Sequence, residues 1–138
     1  RDVITESRMC GLVSIPGAMT ATEINNAHNF GADYVKLFPV TNLGAGYVKA
    51  VKAPLGHVKM LAVGGINEKN IGEYLKAGVS GFGVGSNIIN GEYLKNNDFK
   101  AITELAKKYT EGAEKALSAF ENNEFLCRLT DLLLNRKN

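Results

Sequence analysis

Lys36 lies in the middle of an otherwise apolar run, YVKLFPV, Tyr34 to Val40. Strand alternation puts Tyr34, Lys36 and Phe38 on one face and Val35 and Leu37 on the other. A lysine held in a low-dielectric pocket loses the solvation of its charged form, so its pKa falls. The neutral amine can then attack a ketone and form a Schiff base. Once protonated, that imine withdraws electrons and stabilises a carbanion at the adjacent carbon, so carbon–carbon bonds can be made or broken. The competing reading is a lysine on an edge strand or one-sided sheet, pointing at water. The strand by itself fits either.

Two glycine loops supply a second kind of chemistry. They are AVGGIN, Ala62 to Asn67, and GVGSN, Gly83 to Asn87, each following an apolar run. Gly64 and Gly65 have no side chain to block close approach, so their N–H groups can face an anion. A helix expected to start near Asn67 would add the positive end of its dipole. Gly85 and Ser86 can act in the same way from the next loop, Ser86 adding a hydroxyl. In a (β/α)8 barrel, the loops after the seventh and eighth strands are a common seat for phosphate. A single loop of this kind reads first as a tight turn between strand and helix; two after successive strands favour phosphate.

The elements that must position these groups are legible as alternation. Four short apolar runs end in Gly or Pro: GLVSIPG (Gly11–Gly17), YVKLFP (Tyr34–Pro39), VKMLAVGG (Val58–Gly65) and GFGVGS (Gly81–Ser86). Each is about strand length. Between them lie helical patterns. One is capped by Thr20 or Thr22 and stopped at Gly31; one is short, with Tyr47, Val48 and Val51, and ends before Pro54; one is capped by Asn67 and stopped at Gly78. Strand and helix alternate, which implies βα units and a parallel sheet. Sliding Gly17 onto Gly64 without a gap places Ile24 on Ile71, Gly31 on Gly78 and Lys36 on Gly83, a modest internal repeat. In that register Val35, Leu37, Phe82 and Val84 form the helix-packing face. Lys36 and Gly83 share the interior, and Gly83 leaves volume beside the ammonium. From about Asp98 onward the pattern is helical, with Ile102, Leu105, Ala106 and Tyr109 on one stripe and a second apolar run at NEFLCRLTDLLL.

Composition removes other classes of function. The chain has 138 residues, 45% of them hydrophobic and 22% charged, with a net charge of +2. That suits one domain with a real core. No basic run supports nucleic-acid binding, and no apolar stretch is long enough to span a membrane. Cys10 and Cys127 show no metal-type spacing and no disulfide framework, which makes reduced cytoplasmic thiols the expectation. The chain begins at Arg1, as a processed protein or a piece of a longer one would.

IPGAMTATE, GADYVKLFP, YVKAVKAPL, LAVGGINEKNIGEYLKAG and GFGVGSNI occur in this order and spacing. Together they resemble the class I 2-keto-3-deoxy-6-phosphogluconate / 2-keto-4-hydroxyglutarate aldolases over about residues 1–117. The resemblance implies an α/β fold of the TIM (β/α)8 barrel family, with this chain supplying about four βα units, strands five to eight, plus C-terminal helices. Residues 1–117 would be the C-terminal half of the aldolase barrel, and residues 118–138 a helical tail without a recognised counterpart. Lys36 would be the catalytic Schiff-base lysine. Gly64, Gly65, Gly85 and Ser86 would bind the substrate phosphate, and Pro16, Gly17, Phe38 and Gly83 would line the pocket.

The resemblance also implies no metal and no organic cofactor, a phosphorylated 2-keto acid and pyruvate as small-molecule partners, no nucleic acid or membrane partner, and a homo-oligomer, usually a trimer. The amino-terminal half of the family barrel carries the glutamate that handles protons and an arginine that helps hold the substrate; nothing in this chain replaces them. Glu23 and Glu68 sit early in helices, where the dipole explains them. His57 precedes a strand and His28 lies mid-helix, neither with a triad partner in view. Val63 stands where several relatives have threonine, which leaves the sugar acid open. A non-catalytic half-barrel that pairs with itself or with a complementary half is the alternative reading. A thiamin phosphate synthase-like or isomerase-like phosphate binder is a third, and would leave Lys36 unexplained.

Overall fold

The computed structural model describes residues 1–117, with side chains as far as Gly112. They fall in two compact units, residues 1–87 and a second that begins at Ile88.

The first unit contains helix α1 (Asp2–Met9), β1 (Gly17–Ala18), α2 (Ala21–Asn29), β2 (Val35–Leu37), α3 (Gly44–Lys52), β3 (Met60–Val63), α4 (Ile71–Lys76) and β4 (Gly81–Gly83). The strands form one parallel sheet in the order β1-β2-β3-β4, so sequential strands are neighbours and β1 and β4 are its edges. Gly17 stands opposite Lys36, Lys36 opposite Leu61, and Leu61 opposite Gly81. The four expected strands are thus present but short. Only two residues of the first are strand proper, although Tyr34 N–H and Lys36 N–H reach back to the Ser14 and Pro16 carbonyls. Helix α1 has no counterpart in the sequence reading, because its apolar residues are too few to show a stripe: Ile4 alone is buried.

One face of the sheet carries the core. Val35, Leu37, Met60 and Ala62 are buried there with Ile24 and Ala27 of α2, Val48 and Val51 of α3, and Tyr74 and Ala77 of the α4 segment, and Phe82 and Val84 pack against them. The period-2 alternation of β2 decides this directly: its burial runs buried, half-buried, buried. The opposite face is the more open one among the described residues. Lys36, Leu61 and Val63 are half-buried, while Ile15 is 47% exposed and Phe38 52%.

Helix α2 starts at a capping box, with Thr20 rather than Thr22 as the cap. Glu23 Oε2 accepts from the Met19 and Thr20 N–H groups at 3.0 and 2.8 Å. The Thr20 bond above all, then Met19, holds the Glu23 carboxyl below its usual range. A carboxyl whose pKa is lower folded than unfolded contributes stability that is fully present above the unfolded value, about 4.3 for glutamate. That contribution is lost as pH falls through the folded value. The expected result for Glu23→Gln is a lowered thermal midpoint at neutral pH and a gap to wild type that closes on acidification. Melting curves collected from neutral to acid pH check this; a gap that is constant across that range would contradict it.

Gly31 and Gly78, the expected stops, follow the cap residues Phe30 and Ala77 of α2 and α4, with φ of +94° and +93°. Helix α4 corrects an expectation. It begins at Ile71 with Asn70 as its cap residue, not near Asn67. Asn67 instead closes a turn, its Oδ1 accepting from the Lys69 N–H at 2.9 Å. Local side-chain-to-backbone bonding by asparagine competes with helix and delays the start.

The second unit has α5 (Gly91–Lys95) and α6 (Phe99–Leu117). Asp98 Oδ1 accepts from the Ala101 N–H at 2.9 Å, which caps α6. The expected helix over this stretch is present, with Ile102, Leu105, Ala106 and Tyr109 half-buried. The run NEFLCRLTDLLL, Cys127 and the proposed tail 118–138 lie outside the described residues. Among the described residues, no helix is long and apolar enough to cross a membrane.

Candidate active site

Lys36 occupies the central level of β2, on the face away from the helices. Its own N–H donates to the Pro16 carbonyl at 2.9 Å. Its Nζ lies 4.8 Å from the centroid of the Phe38 ring, two residues along the same face. The ring's negative face attracts the ammonium and gives it a fixed direction. On the β1 side the neighbour is Gly17, where an added Cβ would meet nothing within 4 Å. Open space beside the amine therefore lies on the Pro16–Gly17 side. Gly83, which the sequence reading set beside the amine, borders the cavity described below, and an added Cβ there would meet Val63 Cγ2 at 2.8 Å. Gly83 stands opposite Val63, and the level of Lys36 leads through Leu61 to Gly81.

The two glycine loops come together at the carboxyl end of β3 and β4. They border a cavity of about 310 Å³ whose lining includes Gly64, Gly65, Gly83, Gly85 and Ser86, with Phe38, Val63, Ile66 and Val84 completing it. Phe38 is the link between this cavity and Lys36. Among the described residues no charged side chain lines it, so an anion there would be held by N–H groups and the Ser86 hydroxyl. Gly64 and Gly65 have φ of +98° and +69°, where side chains are strained. A Cβ at Gly64 would also press on the Phe38 ring and on Pro39 Cα, each at 3.3 Å, and one at Gly65 would collide with the Thr41 hydroxyl. The glycines thus allow Phe38 and Thr41 to approach the loop closely. The helix dipole expected here is not part of the cradle, since α4 begins six residues after Gly65 and runs for only 6 residues.

Carbonyls along the first glycine loop are tied back by side chains of which the sequence reading singled out Asn67 alone, and that as a helix cap. Thr41 Oγ1 donates to the Gly64 carbonyl at 2.8 Å. Asn70 Nδ2 donates to the Gly65 carbonyl at 2.8 Å, and Asn67 Nδ2 to the same oxygen at 3.3 Å. Asn87 Nδ2 donates to the Ile66 carbonyl. The available signal was a cluster of Thr and Asn in the segments that follow three strands, residue types that bond to nearby backbone.

Other titratable groups stand elsewhere. The His28 and His57 rings, assigned separate surroundings in the sequence, meet edge-to-face at 4.9 Å between centroids. They lie just before β2 and β3, at the amino end of the strands, away from the glycine loops. Asp33 Oδ2 accepts from the Ser14 N–H at 2.8 Å, and that bond chiefly lowers its carboxyl pKa. Lys52 Nζ donates to the Gly56 and Val58 carbonyls at 3.1 and 2.9 Å, and desolvation lowers its pKa.

Residues 1–105 match the family described as KDPG and KHG aldolase. The chain belongs to this family. Its members are class I aldolases, carbon–carbon lyases. The chain is 32% identical over 114 residues to the 2-dehydro-3-deoxy-6-phosphogalactonate aldolase of Escherichia coli (strain K12), covering 82% of this chain and 56% of that protein. It is 31% identical over 115 residues to the 2-dehydro-3-deoxy-phosphogluconate aldolase of Pseudoalteromonas atlantica, covering 81% and 53%. Among solved structures, the one described as "Native KDPGal structure" superposes with a TM-score of 0.66 at 32% identity, covering 81% of this chain and 55% of that one. The chain thus spans about half the length of these aldolase relatives. The four-stranded parallel α/β sheet agrees with the fold of these aldolases.

Proposed function

We propose that this chain carries the Schiff-base and phosphate-binding part of an aldolase acting on a phosphorylated 2-keto-3-deoxy sugar acid or on 2-keto-4-hydroxyglutarate. The observation that carries this reading is Lys36, set on the open face of the sheet and directed onto Phe38, whose ring also borders the cavity between the two glycine loops. In the forward reaction the Lys36 amine adds to the C2 ketone, and loss of water leaves a protonated imine. The C3–C4 bond then breaks and its electron pair moves into the imine as an enamine. The C4 hydroxyl gives up its proton to a base and departs as an aldehyde carbonyl: glyceraldehyde 3-phosphate from the sugar acid, glyoxylate from the hydroxyglutarate. The enamine takes a proton at C3, and hydrolysis releases pyruvate and the free lysine. Among the described residues no carboxylate lines the cavity, so none of those that border it is a carboxylate proton carrier.

Strands β1 to β4 would be the fifth to eighth strands of a (β/α)8 barrel, with Lys36 facing its axis. The more exposed face of the sheet among the described residues and its two edge strands, β1 and β4, support a second reading, in which the unit binds phosphate and associates without chemistry. The experiment that separates the two is incubation with pyruvate, reduction with borohydride and peptide mapping. An added mass on the Lys36 peptide is the expected result. Folded protein that gains no mass, and that runs on a sizing column at twice its chain mass or more, would replace the aldolase reading with the second.

A further inference from the structure

We propose that Thr41 and Asn70 are positioning residues of the phosphate site: by holding the Gly64 and Gly65 carbonyls from behind, they aim the Gly65 and Ile66 N–H groups at the anion. This rests on the reading of the glycine loop as a phosphate seat. The argument is geometric. A trans peptide is planar, so the carbonyl of one residue and the N–H of the next point in opposite directions. Fixing the Gly64 carbonyl on Thr41 Oγ1 at 2.8 Å therefore fixes the direction of the Gly65 N–H. Fixing the Gly65 carbonyl on Asn70 Nδ2 at 2.8 Å does the same for the Ile66 N–H. Both peptides begin at residues of positive φ, where glycine explores the widest range of orientations. Without tethers these two peptide planes would be the least determined part of the site.

The two tethers differ in what they join. Asn70 uses both ends of its amide, Oδ1 accepting from the Asn67 N–H at 2.9 Å while Nδ2 donates to Gly65. It thus acts within one loop. Thr41 reaches across 23 residues of sequence. It stands just beyond β2, the strand of Lys36, and the intervening Val40 N–H donates to the Val63 carbonyl at 3.0 Å. Thr41 accordingly locks the phosphate loop to the strand that bears the amine, which sets the separation of the two ends of a phosphorylated keto acid.

The test is a titration of the ¹⁵N-labelled full chain with inorganic phosphate, followed at the Gly65 and Ile66 amides. Wild type is compared with Thr41→Val, Thr41→Ser and Asn70→Asp, and thermal melts establish that each variant is folded. Valine keeps the shape of threonine and removes the donor, and loss of one such bond is expected to weaken phosphate by about 5-fold. Serine restores the donor and is expected to bind within about 2-fold of wild type. Aspartate can still accept from Asn67 but cannot donate to Gly65, and its charge opposes the anion; a loss of about 10-fold or more is expected. Phosphate binding by folded Thr41→Val equal to wild type, or a serine variant as weak as the valine one, would overturn the positioning role alone. Wild-type amides that ignore phosphate would overturn the phosphate reading of the loop, and the inference with it.

Discussion

Lys36→Ala eliminates the pyruvate–borohydride adduct and leaves the sheet folded. The two halves of that expectation have separate causes. The fold loses little, because the Lys36 N–H bond to Pro16 belongs to the backbone and survives. The side chain is half-buried on the face opposite the core, and the contact with Phe38 contributes about 0.5–1 kcal/mol at such a site. The chemistry loses everything, because the imine needs a primary amine within reach of the keto acid. The competing candidate is Lys52, whose pKa is lowered by burial. A lowered pKa alone does not make a nucleophile. Lys52 Nζ is occupied by the Gly56 and Val58 carbonyls, in the turn that leads into β3, at the end of the sheet away from the glycine loops. Peptide mapping of the wild-type adduct decides between them. Mass on the Lys52 peptide, or an adduct that persists in Lys36→Ala, would remove Lys36 from the mechanism.

The second large effect is expected for Gly65→Ala. The residue has φ of +69°, a conformation that costs a side chain about 1–2 kcal/mol. Its new Cβ would also collide with the Thr41 hydroxyl. Either the loop moves or Thr41 releases the Gly64 carbonyl, and in the proposed phosphate site both would redirect the Gly65 N–H. Phosphate affinity is expected to fall by about 10-fold or more, with a stability loss of about 1–3 kcal/mol. Gly85→Ala is the internal control. An added Cβ there meets nothing within 4 Å and its φ is not in the left-handed region, so stability stays close to wild type. Phosphate titration of Gly65→Ala and thermal unfolding of both variants check this; equal loss of stability in the two would show that the first glycine loop is not the constrained one.

Some features of this protein are fixed by neighbours in the chain, and those were open to reading. Alternation along Tyr34–Phe38 separates Lys36 from Val35 and Leu37 whatever the strand pairs with, because successive residues of a strand face opposite ways. The stops at Gly31 and Gly78 and the Thr20 cap are likewise local, each decided within a few residues. The start of α4 was misplaced because Asn67 and Asn70 are both residue types that begin helices, and Asn67 closes a turn on the Lys69 N–H instead.

What lies beyond local reach divided differently. The residue types named the chemistry: a lysine among apolar residues and glycines where an anion could approach. Where a larger side chain would fit was settled by packing, since an added Cβ would meet Val63 at Gly83 and nothing within 4 Å at Gly17. The meeting of His28 with His57, and of Thr41 with the glycine loop, follows from pairing strands that are distant in sequence. One-dimensional periodicity records which way a side chain faces along its own element. It carries no record of which element lies opposite, and that is set when buried faces collapse on one another to exclude water.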